Sequence, residues 1–156
     1  MKAADLQIRR ATSDDAPVFG RMLQAFNDEF ESESPDADSI ARRAVPLLER
    51  GEIDVLFVGA GPDGFAQIRF LDSLYSDGFG VWLEELYVVP AKRGTGLGRA
   101  LLDAAMALSR ERGADHMSLT TSVDDTAARA LYEQNGFTNQ EDVPGGPSML
   151  YYERAL

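Results

Sequence analysis

A chain of 156 residues, 44% hydrophobic and 26% charged, can bury one ordinary core and reads as a single domain over residues 1–156. Its net charge of −11 argues against nucleic acid as a partner, since phosphate contacts need a basic patch; the charge suits plain solubility or a cationic partner. The absence of cysteine excludes disulfides, thiolate catalysis and thiolate-held zinc and fits a cytoplasmic protein, and with His116 the single histidine no metal is expected.

In chain order, Leu6 to Ala11 alternates and reads as a first strand. Thr12 to Pro17 opens a helix, with Ser13 or Asp14 as cap, and Val18, Met22, Leu23, Ala25 and Phe26 mark its apolar face. A second helix spans Asp38 to Arg50, kinked at Pro46 and ended by Gly51. Ile53 to Val58 reads as a buried strand, and Gly59 to Gly64 as a turn into a third, Phe65 to Phe70. After a polar loop over Asp72 to Gly80, Trp82 to Val89 forms a fourth strand stopped by Pro90. Leu97 to Arg112 is an apolar-periodic helix ended by Gly113, with His116 on the surface beyond it and Ser118 to Ser122 as the fifth strand. A helix following Asp125 ends at Gly136, and Phe137 onward and Met149 to Glu153 supply the last two strands. The start, Met1 to Asp5, carries no apolar signal segment, and no run approaches a membrane span, so no membrane partner is expected. A meander followed by βαβ units predicts a mixed α/β sheet of about seven strands, with four helices on both faces.

The loop between the fourth strand and its helix is the most informative stretch. Amides opening a helix lack intrahelical partners and sit at the positive end of the macrodipole, and glycines let a bulky anion come close to them. A phosphate-bearing ligand suits such a loop. The loop has no Gly-Lys-Ser/Thr ending of a P-loop, and a dinucleotide fingerprint begun at Gly94 fails at Arg99. What it does offer is Arg93-x-x-Gly96-x-Gly98. This resembles the pyrophosphate loop of the GCN5-related N-acetyltransferase superfamily, which binds acetyl-coenzyme A. Further on, Asp125-x-x-Ala128-x-x-Leu131-Tyr132-x-x-x-Gly136-Phe137 is similar to the family's second signature, with Asp125 where asparagine is usual.

The resemblance implies an acetyl-CoA-dependent N-acetyltransferase whose fourth and fifth strands diverge, the pantetheine arm lying in the gap. It implies cofactor contacts from Leu86, Tyr87 and Val88 on the strand, from Arg93, Gly94, Thr95, Gly96, Leu97, Gly98 and Arg99 in the loop, and from Asp125. It also implies a homodimer. Val88 N–H is the implied oxyanion donor, and Tyr132 the implied acid for the departing thiolate, as a phenol keeps its proton at neutral pH. For the base, strand alternation puts Glu84 with Leu86 and Val88, and Glu85 with Leu83 and Tyr87, on opposite faces. Some small-amine enzymes of the superfamily carry a glutamate at the first of these positions. Glu84 is therefore the first choice and Glu85 the second, with a plain salt bridge as the other reading.

The connection from Asn27 to Asp38 holds many carboxylates and no basic residue. In the family it borders the acceptor pocket, so Asp28, Glu29, Phe30 and Glu31 are the substrate-binding candidates, for a polyamine- or aminoglycoside-like amine. A solvated acidic loop is the bland alternative. Aromatic Phe30, Tyr75 and Phe79 either add cation–π contacts or form one hydrophobic cap. Acetylation of a protein N-terminus or lysine, and a non-catalytic acetyl-CoA-binding regulator, stand beside the small-amine reading.

Overall fold

The structure, a computed structural model, describes residues 6–156; Met1 to Asp5, the segment read for a signal sequence, lie outside the described residues. The chain divides into two compact units, one ending at Leu119 and one spanning Thr120–Leu156. In the first, the elements are β1 (Ile8–Arg10), α1 (Ala16–Glu29), α2 (Ala37–Glu49), β2 (Ile53–Val58), β3 (Gly64–Asp72), β4 (Phe79–Val88), α3 (Leu97–Glu111) and β5 (Ala114–Leu119). The sheet runs β1-β2-β3-β4-β5, antiparallel until β5, which joins β4 in parallel. A parallel neighbour needs a crossover, and α3 supplies it.

The two faces of the sheet follow from the register, because residues opposite one another on antiparallel strands project to the same side. Val55, Phe57, Phe65 and Tyr87 face α1 and α2 and form a buried cluster with Phe19, Ile40, Ala41 and Ala44. The alternate residues, Leu56, Val58, Ala66 and Ile68, lie on the α3 side with Leu97, Leu101, Leu102 and Ala105. Asp54 is buried on that second side, 2% exposed, between Arg10 (Nε to Oδ1, 2.6 Å) and Arg112 at the end of α3 (NH1 to Oδ2, 2.7 Å). The Arg112 guanidinium also lies 3.7 Å above the Phe70 ring and donates to the Gly51 carbonyl at 3.0 Å.

The second unit contains α4 (Thr126–Gln134). Asp125 caps it, its carboxylate accepting from Ala128 N–H at 3.0 Å. At the other end Gly136 has φ 86°, Phe137 N–H reaches the Tyr132 carbonyl, and Gly136 N–H reaches Glu133. That is the Schellman pair of bonds, and the Tyr132 and Phe137 rings, 5.8 Å apart, make its apolar contact.

Three expectations change. The polar loop over Asp72 to Gly80 shortens, since β3 continues to Asp72 and β4 begins at Phe79. The fifth strand starts earlier than Ser118, pinned by Phe79↔Ala114, so exposed His116 belongs to it. The last two strands do not form; after Phe137 there is an isolated Gln140↔Ser148 bridge, and Met149 to Glu153 is irregular and exposed. Its apolar and aromatic side chains suit a strand, but a strand needs a ladder for its backbone, and the sheet stops at five.

Candidate active site

Strand β4 pairs with β3 along its whole length, to Gly64↔Val88, but with β5 only as far as Leu83↔Leu119. From Glu84 to Val88, no strand among the described residues pairs with its β5-side edge. Val89 N–H donates toward β3, to the Asp63 carbonyl at 2.9 Å. The Val88 carbonyl, trans across the same peptide plane, thus points to the open edge, and Val88 N–H points there with it.

A bulge at the start of this edge reorders the two glutamates. Gln67 pairs with Glu85, yet the next residue, Ile68, pairs with Leu83, so Glu84 is the extra residue. Strict alternation fails here. Glu85 shares a face with its partner Gln67, and Glu84 turns to that same face. Its Oε1 accepts from Arg69 Nε at 2.6 Å, and its Oε2 from Arg69 NH2 at 3.3 Å and from Gln67 Nε2. Both carboxylates lie on the Tyr87 side, which corrects the assignment of Glu84 to the face of Leu86 and Val88. Among the described residues no hydrogen bond or ion pair engages the Glu85 carboxylate. Burial, then the neighbouring Glu84 charge, push its carboxyl up to about 7.

Beyond Val88 the chain makes a short 3-10 turn, Pro90–Lys92, and enters the glycine loop. Gly94 and Gly96 have φ of 73° and 88°, and Gly96 stands at the N-cap of α3, where no side chain caps the helix. The first-turn amides of Leu97, Gly98 and Arg99 thus have neither an intrahelical nor a side-chain acceptor. Thr95 Oγ1 donates to the Lys92 carbonyl at 2.6 Å, and Arg99 pairs with Asp103 at 3.5 Å.

The Arg93 side chain turns back along β4. Its Nε donates to Val88 O at 3.0 Å, its NH1 and NH2 reach the two Glu29 oxygens at 2.6 and 2.8 Å, and its guanidinium lies 5.8 Å from the Tyr87 ring centre. Arg93 holds the Glu29 carboxyl below its usual range, while burial and then Glu29 raise the Tyr87 phenol.

The remaining acceptor-side candidates gather at the end of α1. Asp28, Phe30 and Glu31 are exposed, whereas Asp36 caps α2 through Ser39 N–H at 2.8 Å, as the bland reading of the acidic connection has it. Helices α2, α3 and α4 end on Gly51, Gly113 and Gly136, all with positive φ, but α1 ends on Glu31 at φ 53°. A side chain there is disfavoured, so Glu31→Gly is expected to raise stability by about 1 kcal/mol. Urea unfolding followed by the fluorescence of Trp82 checks this; no gain would mean that Glu31 relieves its own strain. The aromatics do not form one cap: Phe30 meets Phe26, Phe79 meets Phe70, and Tyr75 is fully exposed.

Gln67 and Arg69 escaped the sequence reading. Their signal was two polar residues at i and i+2 inside the apolar run Phe65 to Phe70. Asp125 and Tyr132 belong to the second unit, in the cap and stop described above. Among the described residues no group of three or more histidines or carboxylates is placed to hold a metal ion.

A family model described as the acetyltransferase (GNAT) family matches residues 19–137. The chain is 30% identical over 151 residues to the aminoglycoside N(6')-acetyltransferase type 1 of Stenotrophomonas maltophilia, covering 92% of this chain and 93% of that one. A protein of Arthrobacter sp. FB24 regarded as an acetyltransferase superposes with a TM-score of 0.90 at 41% identity, over 100% of this chain and 99% of its own. An aminoglycoside acetyltransferase from an uncultured soil sample, in complex with sisomicin, shares the fold at a TM-score of 0.75 and 21% identity, covering 97% of each chain.

Proposed function

The chain belongs to the GNAT acetyltransferase family and is an N-acetyltransferase, and from that premise we propose that it moves acetyl from acetyl-CoA to a primary amine of a small cationic acceptor of the aminoglycoside kind. One observation carries the reading: the open edge of β4 from Glu84 to Val88 leads directly into the uncapped amides of α3. An extended, amide-bearing arm pairs with such an edge as a strand would, and a diphosphate suits the amides. Acetyl-CoA has both parts and supplies the activated acetyl group as a thioester.

The residues then divide the work. An alkylammonium has no lone pair, so Glu85 accepts its proton, directly or through a water. Val88 N–H donates to the carbonyl oxygen as the nitrogen adds and charge develops there. The new C–N bond forms as the C–S bond breaks, and the added nitrogen releases its surplus proton to water. Tyr132 gives a proton to the departing thiolate, a role supported by its place in the Leu131-Tyr132 signature, and takes one back from water. Glu84 leaves the base role because both its oxygens already accept hydrogen bonds from Arg69 and Gln67. Exposed Asp28 and Glu31 supply negative charge for the acceptor, and the similarity to an aminoglycoside acetyltransferase supports that class.

A thermal melt tests the cofactor half. Acetyl-CoA or CoA at a hundred times its dissociation constant stabilises by about 2.7 kcal/mol, on the order of 5–10 °C for a domain of this size, and ATP gives no comparable shift. Thiol release with sisomicin as acceptor tests the other half. A shift with ATP as large as with CoA would reduce the loop to a general anion site.

A further inference from the structure

We propose that Arg93 and Glu29 form a clamp that seats the acceptor-side end of α1 against the open edge of β4, and that the Arg93 side chain positions this wall and is not a phosphate ligand. The inference rests on the function proposed above for what is bound on either side, but the clamp itself stands on contacts.

A guanidinium is a planar fork, and its geometry fixes what it can hold at one time. Here the NH1/NH2 end grips both Glu29 oxygens while Nε holds Val88 O, and the plane sits over Tyr87. These contacts join the last residue of α1 to a position 64 residues later in the chain. All of them would be lost if the side chain swung forward to a diphosphate beside Gly96.

Charge argues the same way. The carbonyl end of α1 carries partial negative charge, and Asp28, Glu29 and Glu31 add formal charge to it. Arg93 is the cation set against that end, joined to it as well through the Phe26 and Tyr87 rings, which meet edge-on 5.4 Å apart. Moving Arg93 away would leave Glu29 uncompensated beside Tyr87. The amides from Gly94 to Arg99 can receive an anion without it. Arg93 therefore stays where it is, and its effect reaches the acceptor through α1.

Three variants separate the two roles: Arg93→Met, Glu29→Gln, and the exchange Glu29→Arg with Arg93→Glu. Both single variants are expected to raise the sisomicin KM about tenfold, near 1.4 kcal/mol, with CoA affinity by calorimetry changed by less than about threefold. Amide exchange over residues 27–36, measured without any ligand, should quicken about tenfold in both and return toward wild type in the double exchange. Tenfold weaker CoA binding in Arg93→Met but not in Glu29→Gln would overturn the proposal and make Arg93 a phosphate ligand. Unchanged exchange in Glu29→Gln, which keeps Arg93 and its loop, would overturn it as well. If wild type bound no CoA or acetylated no sisomicin, the functional reading would fail, while the exchange arm would still decide the clamp.

Discussion

Glu85→Gln should lower kcat/KM by roughly 10²–10⁴-fold, the usual worth of a positioned base, and flatten its pH dependence near neutrality. In the wild type the carboxyl lies at about 7, raised by burial and by Glu84, so the competent, ionised form accumulates as pH rises through that value. The rate should climb through pH 7 and level off above it. Glu84→Gln has a different signature. It removes the adjacent negative charge, so Glu85 ionises more easily and the acid limb moves to lower pH, with most of the plateau kept. Arg69 and Gln67 are left with one amide oxygen in place of a carboxylate in that variant, but both belong to β3, away from the open edge, so CoA binding is expected to persist. A flat loss across all pH in Glu84→Gln, with Glu85→Gln still active, would return the base role to Glu84.

The same carboxyl links activity to stability. Its folded value, about 7, stands above the 4.5 of an ordinary glutamate. Between those values the folded chain holds a proton that the unfolded chain has released. This contribution is present at low pH and is lost as pH rises toward 7, so the ionised carboxylate weighs against the fold above it. Glu85→Gln cannot ionise. It should melt higher than wild type at pH 8, and the difference should shrink at pH 5. A dead but more stable variant is what a site group kept against the preference of the fold produces. Equal melting points at pH 8 would show that the carboxyl is well solvated and not raised.

Much of this was legible in the sequence because the relevant signals are local. The Gly94 and Gly96 conformations, the start of α3 and the end of α4 are set by residues within a turn of one another. The second signature is partly a helix stop: Tyr132, Gly136 and Phe137 occupy the three positions that a Schellman ending uses. That explains why those residue types recur at that spacing whatever else Tyr132 does. The position of Asp125 has a similar local reason, since a helix cap needs only an acceptor, which aspartate provides as well as asparagine.

The two glutamates were not legible, because a bulge is a property of two strands. Nothing in Leu83-Glu84-Glu85-Leu86 states that Ile68 will pair with Leu83 while Gln67 pairs with Glu85. Alternation is sound for a regular strand and wrong by one residue past an insertion. Only the contacts of Gln67 and Arg69 with Glu84 separate a structural carboxylate from a titrating one. The Arg93–Glu29 pair is hidden in the same way: each residue has its own local reading, and their meeting depends on how α1 lies along the end of β4.

Asp54→Ala should be strongly destabilising although it lies outside the site. It would remove the acceptor shared by Arg10 and Arg112, and breaking a buried pair from one side costs about 3–5 kcal/mol. The two arginines are partly exposed, at 50% and 25%, and can recruit water, which favours the lower end of that range. A loss of about 3 kcal/mol corresponds to roughly 6–12 °C in Tm for a chain of this length. Replacing all three together by apolar residues should cost much less, because the penalty lies in the stranded charges and not in the missing attraction. The network ties the C-terminal end of α3 to β1 and β2, while the amides offered to the cofactor lie at the other end of that helix. CoA affinity well below the melting range should therefore stay within about threefold of wild type, under 1 kcal/mol. A drop in Tm with intact CoA binding would make Asp54 an anchor of the scaffold alone; a loss of CoA binding in the still-folded variant would mean that the set of α3 on the sheet, held from its far end, also sets the phosphate loop.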